Sequence, residues 1–328
     1  MEDPYFWLQD PGYPQVEDPD VLGYLNEENA YYESWYEPHK TLTQTLFEEL
    51  KARKPEQDES VPYEKNGHRY QWRFNAGDQY RVWLRQSTKD TSNVWETLLN
   101  ENSLAEGCEY FRLGALAVSP DGTKLAYSTD TNGSERFILQ VIEIASGNAL
   151  TTPIENCAGS VVWNADSDGF AYRSVNENWR PDKALYRSLH GGDDTVLYQE
   201  EDDAFFVGLG LSQSEQLMFI TSGDHVTSEV RFVPRADLLA EQELIQGRRE
   251  GHEYDVEHQG DSAGTGRLII RSNRNHPNFD LFETPIAATE EASWQMLLPG
   301  DANHYLVGHM AFADALVVCL RINGLDQI

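Results

Sequence analysis

The sequence is short of positive charge. Lys and Arg number 25 against 55 Asp and Glu, a formal net charge of −30 over 328 residues. A field of that sign repels nucleic acid and anionic membrane surfaces, so neither is an expected partner, and it concentrates cationic ligands such as basic peptides. Solubility is the plainer explanation of the acidity. Cysteine is scarce as well. Cys108, Cys157 and Cys319 are odd in number, far apart and without Cys-x-x-Cys or Cys/His ligand spacing. Neither a disulfide framework nor a zinc site is therefore expected. The longest apolar run, Ala315 to Leu320, is far too short to span a bilayer. The acidic start, Met1-Glu2-Asp3-Pro4, has no apolar signal segment. The expectation is a soluble, cytoplasmic chain with reduced thiols.

Motifs that carry chemistry are missing too. No Gly-x-Ser-x-Gly nucleophile elbow occurs; Gly210-Leu-Ser-Gln-Ser214 lacks the second glycine and reads as a strand start. No Walker loop occurs, and Gly208-Leu-Gly210 lacks the third glycine of a dinucleotide fingerprint. Asn164-Ala-Asp-Ser-Asp-Gly169 imitates half an EF-hand loop, but its twelfth position is Val175 where a bidentate Glu is needed. A hairpin turn built on Asp168-Gly169 explains it more simply. His252 and His258 have the parity of one face of an extended strand, with no third ligand at a fixed spacing. Core or surface histidine is their plain reading. The acidic run Glu200-Glu-Asp-Asp203 reads as a solvated turn. Carboxylates spaced as a glycosidase pair cannot be singled out. No catalytic, cofactor-binding or metal-ligating residue is assigned within 1–328.

What is present is packing material: 40% hydrophobic residues, including 16 Tyr, 13 Phe and 8 Trp. That composition belongs to a globular chain. Residues 18–53 carry the one helical pattern. Asp18 suits the cap and Pro19 the first helical position, while Val21, Leu22, Leu25, Tyr32 and Tyr36 recur at helical spacing. Pro38 separates a second helix with Leu42, Leu46, Phe47 and Leu50, which stops before Pro55.

From about Pro62 the texture changes to short strands punctuated by Gly, Asp and Asn. Val118-Ser-Pro-Asp-Gly-Thr-Lys-Leu-Ala-Tyr127 reads as strand, tight turn and strand. It recurs at Val162 to Tyr172 and Leu211 to Phe219, and more weakly at Gly264 to Ile270 and Ala311 to Val318. Taking Tyr127, Tyr172, Phe219, Ile270 and Val318 as equivalent, the steps are about 45–51 residues, the period of propeller blades. A further strand follows each of the first four copies, beginning near Phe137, Ala184, Glu229 and Phe279. The fold class predicted is mainly β: a partial seven-bladed β-propeller of about five and a half blades, residues 61–328, with an N-terminal α-helical arm over 1–60. The first blade falls near 63–110, and the chain is expected to stop two strands into a sixth that begins near Tyr305.

The strings themselves carry a resemblance. Asp3-Pro-Tyr-Phe-Trp-Leu8, Tyr24-Leu-Asn-Glu-Glu-Asn-Ala-Tyr31, Ser60-Val-Pro-Tyr63, Leu98-Leu-Asn-Glu-Asn-Ser-Leu-Ala-Glu-Gly107 and Val118-Ser-Pro-Asp-Gly122 stand in order. So do Asp130-Thr-Asn-Gly-Ser-Glu135, Trp179-Arg-Pro181, Thr227-Ser-Glu-Val230 and Asn278-Phe-Asp-Leu281. Together they resemble the prolyl oligopeptidase family of serine peptidases, the oligopeptidase B branch above all. The resemblance implies a propeller that gates access to an α/β-hydrolase domain whose Ser, Asp and His would lie beyond Ile328. It also implies short basic peptides as substrates, cleavage after Arg or Lys, no cofactor, and an arm that packs on the hydrolase domain. This chain alone is then expected to be inactive. The alternatives are a free-standing, non-catalytic propeller scaffold and a sugar-active propeller enzyme.

Overall fold

The chain begins its first helix where a carboxylate can receive free backbone N–H groups. The Asp18 side chain accepts from Asp20 N at 2.9 Å and Val21 N at 3.4 Å, and Pro19 occupies the first helical turn of α1 (Pro19–Tyr36). These are donors that no helical carbonyl can reach. A 3-10 turn at Glu37–His39, containing Pro38, leads to α2 (Lys40–Ala52). In a computed structural model, residues 3–13, 15–92, 94–260 and 266–328 are described. They divide into two units, one of 1–59 with 74–78 and one of 60–73 with 79–328. In the first unit, β1 (Asp58–Glu59) follows the helices. Of the α1 and α2 residues only Val21 is buried; Tyr31, Trp35, Leu42, Phe47 and Leu50 are all exposed.

In the second unit the repeat resolves into antiparallel sheets laid down in chain order. The first contains β2 (Tyr63–Lys65), β3 (His68–Phe74), β4 (Val82–Ser87) and β5 (Glu96–Asn100). A short α3 (Glu101–Leu104), capped by the Asn100 side chain, follows. Its four residues are too few for a periodic sequence signal. Next come β6 (Arg112–Val118), β7 (Lys124–Asp130), β8 (Phe137–Glu143) and the long β9 (Ile154–Trp163). β9 serves two blades. Its first half pairs β8 through Ile154 and Cys157, and its second half pairs β10 (Gly169–Val175) through Val161, Val162 and Trp163, with Cys157 also reaching Ser174 of β10 beyond a register shift. The bend between the halves falls at Gly159, whose positive φ glycine adopts without strain. β11 (Pro181–Ser188) and β12 (Thr195–Gln199) complete that third blade. The fourth is β13 (Phe206–Leu211), β14 (Leu217–Gly223), β15 (Ser228–Pro234) and β16 (Glu243–Gln246). The fifth is β17 (Tyr254–Gly260), β18 (Gly266–Ser272), β19 (Asp280–Pro285) and β20 (Gln295–Leu298). Gly264, where the fourth sequence copy was placed, lies outside the described residues.

The sixth blade corrects one expectation: it has three strands rather than two. β21 (His304–Ala311), β22 (Leu316–Ile322) and β23 (Leu325–Gln327) are joined in order. Asn323-Gly324, both at positive φ, turns the chain back so that Ile322 pairs with Leu325. Asn66-Gly67 does the same between β2 and β3. This is the two-residue hairpin chemistry that Asn-Gly favours, and it needs little sequence beyond the dipeptide.

Why the repeat stacks is visible in the second strand of each blade. Tyr127, Tyr172, Phe219, Ile270 and Val318 all sit on such strands. Alternate residues face opposite neighbours. Phe170 and Tyr172 join Phe137, Leu139 and Ile154 of the preceding blade, whereas Ala171 between them joins Val207, Met218 and Ile220 of the following one. Leu268 and Ile270 pack with Phe219 and Phe232, and Ile269 packs with Leu306 and Ala311. Tyr70, Leu98 and Leu99 meet Leu125 and Tyr127 across the first interface. Each core is thus shared between two blades. Both faces of the strand are covered, which is why these segments read as continuous apolar runs.

The turns entering these strands repeat as well. Ser119, Asn164 and Ser212 each take a hydrogen bond on the side-chain oxygen from the backbone N–H five residues on, at Lys124, Gly169 and Leu217. Gly122, Ser167 and Glu215 occupy the left-handed position of the three turns. The hairpin reading of 164–169 holds, but its reason needs correcting. Gly169 opens β10, and a Cβ there would lie 2.0 Å from the Tyr186 hydroxyl. Its glycine makes room for a ring; the left-handed residue is Ser167.

Candidate functional site: the inner wall

Each blade begins with the strand that meets its counterparts in neighbouring blades: β6 lies beside β9, β9 beside β13, and β17 beside β21. These strands form the inner wall, and both cavities described here open against it. The smaller, about 270 Å³, is bounded by Leu116 to Val118, Val161 to Trp163, Leu209 to Leu211 and the Tyr63–Asn66 end of the β2–β3 hairpin. At its rim Glu215 pairs with both Lys65 and Arg235. Burial opposes the charge on Glu215, but the two cations hold its carboxyl below the usual range.

The larger cavity, about 670 Å³, runs along β13. Its charged lining consists of Arg173, Asp224, Asp255 and Glu257. Asp255 is matched by Arg271 at 2.8 Å, with His309 Nδ1 at 3.5 Å from its other oxygen. Asp224 accepts from the backbone N–H groups of Val226 and Thr227 in its own turn. Glu257 accepts from Gln213 N at 2.8 Å and His258 N at 2.7 Å, and burial pushes its carboxyl upward. Arg173 donates to Ser160 Oγ, Val207 O and Ala158 O, and burial pulls its guanidinium down. Sequence reasoning could not have found these wall residues, because every strand end offers a carboxylate and only the stacking decides which face inward.

The features singled out in the sequence take structural places. Gly210-Leu-Ser-Gln-Ser214 spans the end of β13 and its turn, a correction to the expected strand start. Ser214 Oγ lies 2.7 Å from His258 Nδ1 and 2.9 Å from Ser212 Oγ, which also receives Leu217 N. This serine–histidine contact ties the β13–β14 turn to β17. His258 is fully buried, and neither residue lines either cavity. Gly208 is a packing glycine, since a Cβ there would lie 2.1 Å from Thr221 Oγ1. His252 precedes β17 instead of sharing it, and its Nε2 meets Ser272 Oγ at 2.8 Å. Both histidines belong to the core. Among the described residues no group of three His, Cys, Asp or Glu is placed to hold a metal ion, and no helix is long and apolar enough to cross a membrane.

The acidic run at 200–203 divides. Glu201, Asp202 and Asp203 are exposed as expected, but the Glu200 side chain is only 6% exposed. It accepts from Arg248 Nη2 at 2.6 Å and Ser222 Oγ at 2.5 Å, and Tyr198 donates at 3.0 Å. Desolvation works against its charge, yet these donors hold the carboxyl at about 2. Arg248 also lies over the Phe205 ring at 4.2 Å. Glu200 is therefore part of a clamp between the third and fourth blades.

Repeated antiparallel blades around a common inner wall define a β-propeller, here with a helical arm before it. The family description "Prolyl oligopeptidase, N-terminal beta-propeller domain" matches residues 1–328, and the chain belongs to that family. It is 29% identical to Protease 2 of Moraxella lacunata, over all of this chain and 47% of that protein. It is 30% identical to dipeptidyl aminopeptidase BI of Pseudoxanthomonas mexicana, over 99% of this chain and 46% of that one. The chain thus spans about half the length of these relatives. Among solved structures, oligopeptidase B of Leishmania major superposes with a TM-score of 0.88 at 24% identity, over 99% of this chain and 46% of that one. Oligopeptidase B of Trypanosoma brucei, with covalently bound antipain, gives 0.85 at 28%, over 99% and 45%.

Proposed function

We propose that residues 1–328 are the helical arm and propeller part of an oligopeptidase-B-like serine peptidase that hydrolyses short peptides after Arg or Lys. The observation that carries the reading is the end-to-end match to the family's propeller domain. In this reading an α/β-hydrolase domain follows Ile328 and supplies the serine nucleophile, its histidine base and the orienting aspartate. The arm, 1–60, packs on that domain; the exposed apolar side chains of α1 and α2 support this. The propeller, 61–328, excludes folded proteins and closes over bound peptide. The net charge of −30 favours cationic peptides at the entrance, and the enzyme works in the cytoplasm without a cofactor.

The test is hydrolysis by the full-length protein of blocked dipeptide fluorogenic substrates ending in Arg, Lys or Pro. Strong selection of Arg and Lys is expected, with kcat/KM falling as salt screens the attraction. Preference for Pro, or hydrolysis by the purified 1–328 chain, overturns the reading. The match to dipeptidyl aminopeptidase BI favours a second reading, removal of N-terminal dipeptides. Activity confined to dipeptide substrates with a free amino terminus would select it.

A further inference from the structure

Two opposite charges share the larger cavity without neutralising each other. Arg173 spends three of its N–H groups on a hydroxyl and two backbone carbonyls, all neutral. A guanidinium has five such donors, so two remain. Among the described residues Glu257 is held only by two backbone N–H groups. Neither enters an ion pair among the described residues, although both line the same cavity. Asp255 beside them is already matched by Arg271. Removing a charge from water without a counter-ion is costly, and a ligand that brings the opposite charge recovers that cost. Here the matching ligand carries an anionic and a cationic group together.

The two charges lie towards opposite ends of β13, Arg173 on Val207 O and Glu257 on Gln213 N, six residues apart at about 3.3 Å each, and the wall between them leaves room for an extended ligand. Along β13 Gly210 keeps that wall open, since a Cβ there would meet nothing within 4 Å. The volume of 670 Å³ lies within the range of about 300–1,000 Å³ typical of small-molecule sites. Guanidinium geometry suits a carboxylate in particular, which it can grip with two parallel hydrogen bonds.

We propose that this cavity binds a short extended peptide with a free C-terminal carboxylate and, several residues before it, a cationic side chain, the carboxylate on Arg173 and the cation on Glu257. The choice of a peptide rests on the peptidase reading; the charge arrangement does not.

The experiment uses the full-length protein treated with diisopropyl fluorophosphate, with titration calorimetry of acetyl-Arg-Gly-Gly-Gly as probe. Acetyl-Arg-Gly-Gly-Gly amide removes the carboxylate, and acetyl-norleucyl-Gly-Gly-Gly removes the cation. Each is expected to bind about tenfold or more weakly, the loss that follows when a buried charge goes unmatched. Arg173→Met should abolish the preference for the free acid. Because Arg173 also bonds to backbone, Gly210→Leu provides an independent block that fills the cavity and leaves those bonds intact. Equal binding of all three peptides, or unchanged binding in Gly210→Leu, overturns the proposal. Failure of the inhibitor to add its mass to the protein counts instead against the serine-peptidase reading, and leaves the binding result to be judged on its own.

Discussion

Helices α1 and α2 and the second strands of the blades are similarly rich in large apolar side chains, but they bury them very differently. Phe170, Leu268, Ile269 and Ile270 are 0% exposed, whereas Trp35 is 59% and Leu42 58% exposed. The strands draw stability from shared burial, at about 1.5–3 kcal/mol for each large side chain fully covered. The helices have caps, propensity and pairs such as Lys40–Glu37, which is worth little at the surface. A segment can therefore be strongly patterned for burial while the chain around it supplies no cover.

The comparison can be broken at its strongest point first. Phe170→Ala removes a ring from the core shared by the second and third blades and should cost about 3–5 kcal/mol, read as a fall in the urea midpoint. Of comparable size, Arg248→Met leaves the Glu200 carboxylate enclosed without its cation and should cost about 3–5 kcal/mol. The pH dependence gives the sign. Glu200 has a folded value of about 2, below its ordinary 4.5, so its contribution is complete above 4.5 and is lost as pH falls towards 2. Glu200→Gln should flatten that part of the stability profile; an unchanged profile would remove Glu200 as its source. Next in size is Gly169→Ala, which drives a Cβ into the Tyr186 ring and should cost about 1–3 kcal/mol by thermal melt. In the arm the same substitution has the opposite sign. Gly23 is inside α1 with open space around it, so Gly23→Ala should stabilise that helix by about 0.5–1 kcal/mol, read by amide hydrogen exchange. The smallest effect is expected of Phe47→Ser in 1–328, within about 0.5 kcal/mol. A clearly larger loss in the full-length protein would show that Phe47 is covered there.

Much of this architecture was legible because it rests on local chemistry. Asp18 and Pro19 mark a helix start that depends on a few adjacent atoms. The recurring strand–turn–strand copies are legible because each blade must solve the same packing problem. Less local features escaped. The third strand of the sixth blade is three residues long and follows directly from Asn323-Gly324, too short to show alternation. The division of β9 between two blades depends on a bend that only pairing reveals. Glu200 is indistinguishable from Glu201 in a run of acids, until Arg248 arrives from 48 residues away.

By itself the sequence determined the helices, the blade period and the family, because caps, alternation and repeated strings are properties of neighbouring residues. The tertiary structure alone decided which charges are matched and which stand exposed to a cavity. Arg173 and Asp255 look equally ordinary along the chain. Strand pairing sets Arg271 opposite Asp255 across the β17–β18 hairpin, whereas Arg173 meets, among the described residues, neutral acceptors on β9 and, across the stacked blades, the Val207 carbonyl.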